Sequence, residues 1–399
     1  MQERSTAVIF GAGSVGRGFL GQLFSESGYE VVFVDIDEPL VESLARQGSY
    51  TLRLAGLDKV EDLTIGPVRA INGLHTERVA TAVARASLMA TAVGGRALAA
   101  IARPIAAGLA QRWEAGQTTP LNLIICENLP DAPNLLRGYV REALPDGLKP
   151  YVQERVGFVP AVIARMSPVP SPEQRATALT LIVAEPYKVL PVDREAFVGD
   201  IPQIVGMEPV APFIAYVERK LYLHNAAHAM LGYLGYRRGY AYGYEVLDDP
   251  WVRPLLDQAL NEARRALIAE HGFEPVTFRE HIGYLLLRFA NRALADPVSR
   301  LARDPLRKLA PGDRLVGAAR LAERHGIRPE GLSWGIAAAL AYDNPDDPHA
   351  MELQARLARE GLAGILHCLC EIQENEPLAD LVRSRYRLLL EEPQWQRRP

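Results

Sequence analysis

The stretch TAVIFGAGSVGRGFLGQLFSESGYEVVFVD, residues 6–35, leaves this chain few ways to fold. A short apolar run meets three glycines spaced G-x-G-x-x-G: Gly11, Gly13 and Gly16. A segment of helical spacing follows, then a second apolar run that ends in Asp35. Each glycine has a physical reason: a tight turn, close approach of backbone to a pyrophosphate, and close packing of helix on strand. The helix start, around Ser14 and Val15, offers free N–H groups to phosphate oxygens. Asp35 stands nineteen positions beyond Gly16, where a carboxylate accepts from both ribose hydroxyls and repels a 2′-phosphate. Ile36, Asp37 and Glu38 add no arginine that could hold such a phosphate. The expectation is a dinucleotide-binding unit that prefers NAD to NADP.

The alternation continues along the first half. EVVFVDID, SLMATAVG and LNLIICEN read as strands buried on both faces, and GRALAAIARPIAAGLAQRW reads as a helix. Strand, helix, strand at this rhythm predicts a doubly wound parallel sheet with right-handed crossovers, an α/β fold of Rossmann type. ALTLIVAEP adds one further strand, and YKVLPVDREAFVGDIPQ, with no sustained period, reads as an inter-domain connection. Beyond about residue 205 the spacing is helical almost to the end, and the final EEPQWQRRP is expected to fray. A chain of 399 residues is long for one domain. It divides on this reading into a dinucleotide domain, 1–195, and an all-α substrate and catalytic domain, 196–399.

Composition narrows the function classes. A net charge of −4 leaves no electrostatic footprint for nucleic acid or an anionic membrane. Three cysteines cannot form a disulfide framework, no apolar run is long enough to span a bilayer, and the N-terminus shows no leader. A protein of the reducing cytoplasm is expected, with small molecules as partners.

The second signal is VERKLYLHNAAHAM, residues 217–230, which holds two of the eight histidines. At about 100° per residue on an α-helix, Lys220, His224, His228 and Asn225 fall at about 0°, 40°, 80° and 140°, one polar arc. Three readings stay open from spacing alone. The arc is a solvated face. Or His224 and His228, four apart, begin a metal site, although Asn225 stands where zinc peptidases carry a glutamate. Or Lys220 is the base of a dehydrogenase, with amide and imidazole donors holding the developing alkoxide.

Lys220, Asn225 and His228 match the K-x-x-x-x-N-x-x-H signature, and here the chain resembles the polyol-specific long-chain dehydrogenases. FGAGSVGRGF, TAVG, ICEN, GFV, VERKLYLHNAAHA and DPLRKLAPGDRL occur in that family's order, from the first strand to beyond residue 310. The resemblance implies the same two-domain build and a metal-independent, NAD-dependent oxidoreductase working as a monomer. It implies that Lys220 is the general base, that Asn225 and His228 hydrogen-bond the reacting oxygen, and that Asn128 of ICEN completes the oxyanion pocket. Thr91 and Val93 of TAVG join the cofactor-binding set. His224 falls where the signature is free and is expected to tune or pack Lys220. The chain departs from the family pattern at Pro160 and Ala164, where aspartates are expected, and keeps Arg165. That departure bears on the substrate rather than on the reaction class.

Residues 288–314 carry seven Arg or Lys against three Asp, a local balance of +4. On charge alone this is a solvated helix face with a loop. By resemblance, similar residues mark phosphate-using members, so Arg307 and Lys308, with Arg303 or Arg314, are expected to hold a substrate phosphate. The implied reaction interconverts a hexitol phosphate and a ketose phosphate, mannitol 1-phosphate and fructose 6-phosphate. The alternatives are turnover of an unphosphorylated polyol or sugar acid, and an NAD-binding regulator without turnover.

Overall fold

The computed structural model describes residues 4–129, 131–168 and 170–395. It separates into two compact units, Met1–Phe213 and Ile214–Pro399.

The first unit is built on β1 (Thr6–Phe10), β2 (Glu30–Asp35), β5 (Val68–Asn72), β6 (Leu88–Thr91), β7 (Leu121–Ile125) and β8 (Val156–Pro160). These six form a parallel sheet in the order β5-β2-β1-β6-β7-β8. The two-residue period of a strand explains the continuous apolar runs. Ala7, Ile9, Val31 and Phe33 enter the core on one face. Val8, Phe10, Val32 and Val34 enter the core on the other. Strand order reverses at β1 and β6, the switch point at which open α/β sheets bind ligands. The glycine loop leaves β1 at that point.

Three features depart from the sequence expectations. A hairpin, β3 (Tyr50–Ala55) with β4 (Val60–Ile65), stands between β2 and β5 and makes its own sheet with β9 (Ile182–Ala184). The strand expected in ALTLIVAEP is therefore β9, and it pairs with β3 rather than extending the main sheet. The segment read as an inter-domain connection holds β10 (Leu190–Asp193), which pairs in parallel with β11 (Met207–Val210). Proline hid that pair, because a short strand containing it has little periodicity to read.

The second unit is helical. Its central helix, Ala226–Arg238, buries every residue except His228 and Arg237. Gly232 permits this, because a Cβ there would lie 2.7 Å from the backbone N of Ala302. Helix Arg253–His271 ends on Gly272 at φ 70°, a left-handed cap that glycine adopts without strain. At the C-terminal end Pro393–Trp395 form a 3₁₀ turn with Trp395 buried. The rest of the stretch expected to fray, 396–399, lies outside the described residues. No helix among the described residues is long and apolar enough to cross a membrane.

Candidate functional site

In the first unit the three glycines do three different things. A Cβ on Gly11, at φ 97°, would sit 2.4 Å from the carbonyl oxygen of Ala92, so the turn requires glycine. A Cβ on Gly16 would sit 1.9 Å from the carbonyl oxygen of Gly11, the close packing of helix on strand. At Gly13 a Cβ would meet nothing within 4 Å, so the glycine there is not demanded by the protein's own packing. Open space at the middle glycine is what a pyrophosphate needs. Among the described residues the backbone N–H groups of Gly13, Ser14 and Val15 donate to no protein acceptor.

The helix after the loop begins as a π-turn, Gly16–Leu20, with Leu20 N–H donating to Val15 O at 3.0 Å. The Tyr50 hydroxyl donates to Arg17 O at 2.6 Å and satisfies a carbonyl in that turn. The Arg17 side chain is buried and ties the loop down, donating to Ala12 O at 2.5 Å and Thr180 O at 2.8 Å.

Asp35 ends β2 with both carboxylate oxygens engaged. Oδ2 accepts from Ala12 N at 2.6 Å and Oδ1 from Asp37 N at 3.0 Å. Asp37 caps helix Glu38–Gln47 and pairs with Arg175 at 2.5 Å. Residues 36–38 hold no arginine, but the fold delivers one to Asp37 from 138 positions away. No local pattern could have found it.

Thr91, at the end of β6, is fully buried, and its Oγ1 has no hydrogen-bond partner among the described residues. Val93 and Gly94 donate their N–H groups to the two oxygens of Glu127, at 3.0 and 2.7 Å. Sequence reasoning passed over Glu127, which joins the TAVG and ICEN segments. Asn128 is exposed just beyond β7. Pro160 closes β8 opposite Ile125. Arg165 is buried within the same unit, donating to Glu185 O and Gln22 Oε1, both at 2.7 Å.

In the second unit the lysine signature is not plain α-helix. Helix Phe213–Arg219 runs into a π-turn, Lys220–Asn225, before helix Ala226–Arg238. Ala226 N–H donates to Leu221 O, five residues back. In a π-turn the residue five places on stands one turn along, so Asn225 comes under Lys220. The spread of about 140° expected for these two on an α-helix therefore narrows. A π-turn inside a helix is rare and is found frequently at functional sites.

Lys220 is half-buried and Asn225 buried. Burial, then the charges of Arg314 and Arg307, lower the Lys220 pKa from 10.5 to about 8, with Asp313 opposing. The largest charge effects on this lysine thus come from the segment around residue 310 rather than from neighbouring His224, which was expected to tune or pack it. Arg219 lies over the ring of Tyr216, at 4.6 Å. His224 is buried and, through burial and then His228 and Arg288, held well below its ordinary pKa, so it is neutral. His224 packs edge-on against His228 at 4.7 Å between ring centres, and His228 stacks on Phe289 at 4.0 Å. His228 is also pushed well below its ordinary pKa, by burial and then Arg288.

The basic segment separates into different environments. Arg307 is half-exposed and Arg314 buried, and both reach Asp313, at 3.4 and 2.7 Å. Lys308 is buried, donates to Leu301 O and lies over the ring of Tyr233 at 5.4 Å. Burial and the two arginines lower its pKa to about 7. Arg303 is exposed. Tyr222 Oη reaches Gly312 O at 3.4 Å, which brings the loop before Arg314 onto the lysine turn.

Comparison with known proteins covers nearly the whole chain. Residues 5–206 match the model of a mannitol dehydrogenase Rossmann domain, and residues 213–386 match that of a mannitol dehydrogenase C-terminal domain. The mannitol-1-phosphate 5-dehydrogenase of Bacillus licheniformis is 38% identical over 379 residues, 95% of this chain and 98% of that one. That of Brevibacillus brevis is 39% identical over 385 residues, 96% and 98% of the two chains. Among solved structures, Pseudomonas fluorescens mannitol 2-dehydrogenase with NAD and D-mannitol aligns at TM-score 0.77 and 18% identity, covering 98% of this chain and 93% of that one. A D-sorbitol dehydrogenase aligns at TM-score 0.81 and 17% identity, covering 98% and 94%. At such identities these two structures speak for the fold.

Proposed function

The chain belongs to the mannitol dehydrogenase family, and from that premise we propose that it interconverts mannitol 1-phosphate and fructose 6-phosphate with NAD. NAD is held by the glycine loop and Asp35, with Thr91 and Val93 beside them, and when bound it accepts the hydride. In the oxidation, the neutral amine of Lys220 takes the hydroxyl proton as the carbon gives up that hydride, leaving a ketone and an ammonium. In the reverse direction the ammonium returns the proton. Asn225 and neutral His228 donate to the reacting oxygen, and Asn128 serves as a further donor. A lysine with amide and imidazole donors supplies the charge stabilisation, so the proposal includes no metal.

One observation carries the phosphate half of this reading. Arg307 and Arg314 share Asp313 and both act on the Lys220 amine. A dianionic group held by those arginines leaves the rest of a six-carbon chain within reach of the base. Lys308, turned inward on Leu301 O, and exposed Arg303 complete the set proposed for the phosphate. The proposal includes a monomer in the cytoplasm that works on small molecules alone.

A panel of phosphorylated and free polyols and sugar acids, followed by NADH formation, tests the reading. Mannitol 1-phosphate should exceed free mannitol in kcat/KM by orders of magnitude. Equal turnover of free mannitol, or turnover of a sugar acid instead, replaces it with the unphosphorylated reading that Pro160 and Ala164 leave room for.

A further inference from the structure

We propose that Asp37 and Arg175 form a lock on cofactor choice: paired with Asp37, Arg175 is kept from the ribose 2′ position, and once released it accepts the 2′-phosphate of NADP. The inference rests on the dinucleotide reading of the first unit and is independent of the substrate.

The geometry is local to that unit. Asp35 is oriented through both oxygens, by Ala12 N at 2.6 Å and Asp37 N at 3.0 Å. That leaves its outer lone pairs for the ribose hydroxyls. Asp37 is thus fixed beside the group that meets the ribose. Its own oxygens are divided: Oδ1 accepts from Leu40 N at 3.3 Å as the helix cap, and Oδ2 accepts from Arg175 Nη2 at 2.5 Å. Arg175 comes from helix Pro172–Thr177, and its side chain is 48% exposed.

Its charge is felt at the loop itself. Arg17, tied to Ala12 O, has its pKa lowered by burial first; Tyr50, Asp35 and Asp37 oppose that, and Arg175 adds to it. Asp35, Asp37, Arg17 and Arg175 are therefore electrostatically coupled at the dinucleotide loop. As a stabilising contact, a half-exposed ion pair does little. As a selector it does more, because a guanidinium matches a phosphate through two parallel hydrogen bonds and Asp37 now takes one of those donors, Nη2. NAD needs nothing from Arg175, so the pair leaves NAD binding intact while it removes a half-exposed cation that a 2′-phosphate could use.

The test is Asp37→Asn, which keeps the capping oxygen and removes the charge. Dissociation constants for NADH and NADPH are measured by fluorescence titration in the parent, Asp37→Asn, Arg175→Ala and the double variant. Asp37→Asn should tighten NADPH by about tenfold, as a freed charge-assisted contact provides, with NADH nearly unchanged. The gain should vanish in Asp37→Asn/Arg175→Ala, and Arg175→Ala alone should leave NADH binding as it was. No gain in Asp37→Asn overturns the lock. A gain that persists in the double variant overturns it too, since lost repulsion alone would then account for it. If Asp37→Asn does not fold, Asp37→Ser takes its place with the same expectations.

Discussion

The guanidinium of Arg314 acts on the amine of Lys220: after burial, it is the largest influence that brings this lysine from 10.5 down to about 8. Arg307 adds to the effect, and Asp313, which reaches both arginines, opposes it. The amine proposed as base and the cations proposed to take the phosphate are therefore one electrostatic assembly. Whatever enters at the arginines is felt at the lysine.

A dianion beside Arg307 and Arg314 favours the ammonium and raises the lysine pKa in the complex. The profile of kcat reports the enzyme with substrate bound, and that of kcat/KM the free enzyme. With mannitol 1-phosphate, the limb in kcat should thus lie at higher pH than the limb near 8 expected in kcat/KM. Coincident limbs would place the phosphate away from this cluster.

Arg307 is the accessible member of the pair, with a side chain 47% exposed. Arg307→Ala should raise KM for the phosphate ester about 10- to 100-fold, the value of a hydrogen bond between charged groups, about 1.5–3 kcal/mol. Assays run well above pH 8 keep the accompanying change at Lys220 from contributing. KM for a free hexitol and the dissociation constant of NADH should hold steady. An unchanged KM for the ester removes Arg307 from the phosphate site.

The glycine loop makes a paired prediction. Gly16→Ala drives a methyl group into Gly11 O, and overpacking of this kind costs about 1–3 kcal/mol or more in stability. Gly13→Ala meets no protein atom within 4 Å, so Tm should stay as it is while NAD binding weakens. Thermal melts and NADH titrations of both variants check this. A Gly13→Ala variant that binds NADH normally would show that the pyrophosphate does not approach there.

What the sequence made legible follows from what is local. The main sheet was readable because β1, β2, β6 and β7 are buried on both faces and their apolar runs are unbroken. The β3–β4 hairpin was not: Val60 through Asp62 are exposed, and only Leu63 and Ile65 of β4 turn to the core, too few to read as a face. The polar arc of the lysine segment was visible, but its angles were those of an α-helix. The π-turn that draws Asn225 under Lys220 leaves no mark in residue spacing. The tuning of the lysine was assigned to its sequence neighbour His224, because only neighbours can be seen in a sequence. Burial neutralises His224, and folding brings Arg314 and Arg307 to the lysine instead.

The direct test of Lys220 as the base is the pH dependence of alcohol oxidation in the parent enzyme and in Lys220→Ala. In the parent, kcat/KM should rise as the lysine loses its proton and level off above about pH 8, while the reverse reduction falls across the same range. One limb is expected there, because His224 and His228 are both held neutral. In Lys220→Ala turnover should drop about 100-fold or more, the limb should disappear, and NADH should bind as before. A variant that keeps most of its activity, or keeps the same limb, would contradict the account.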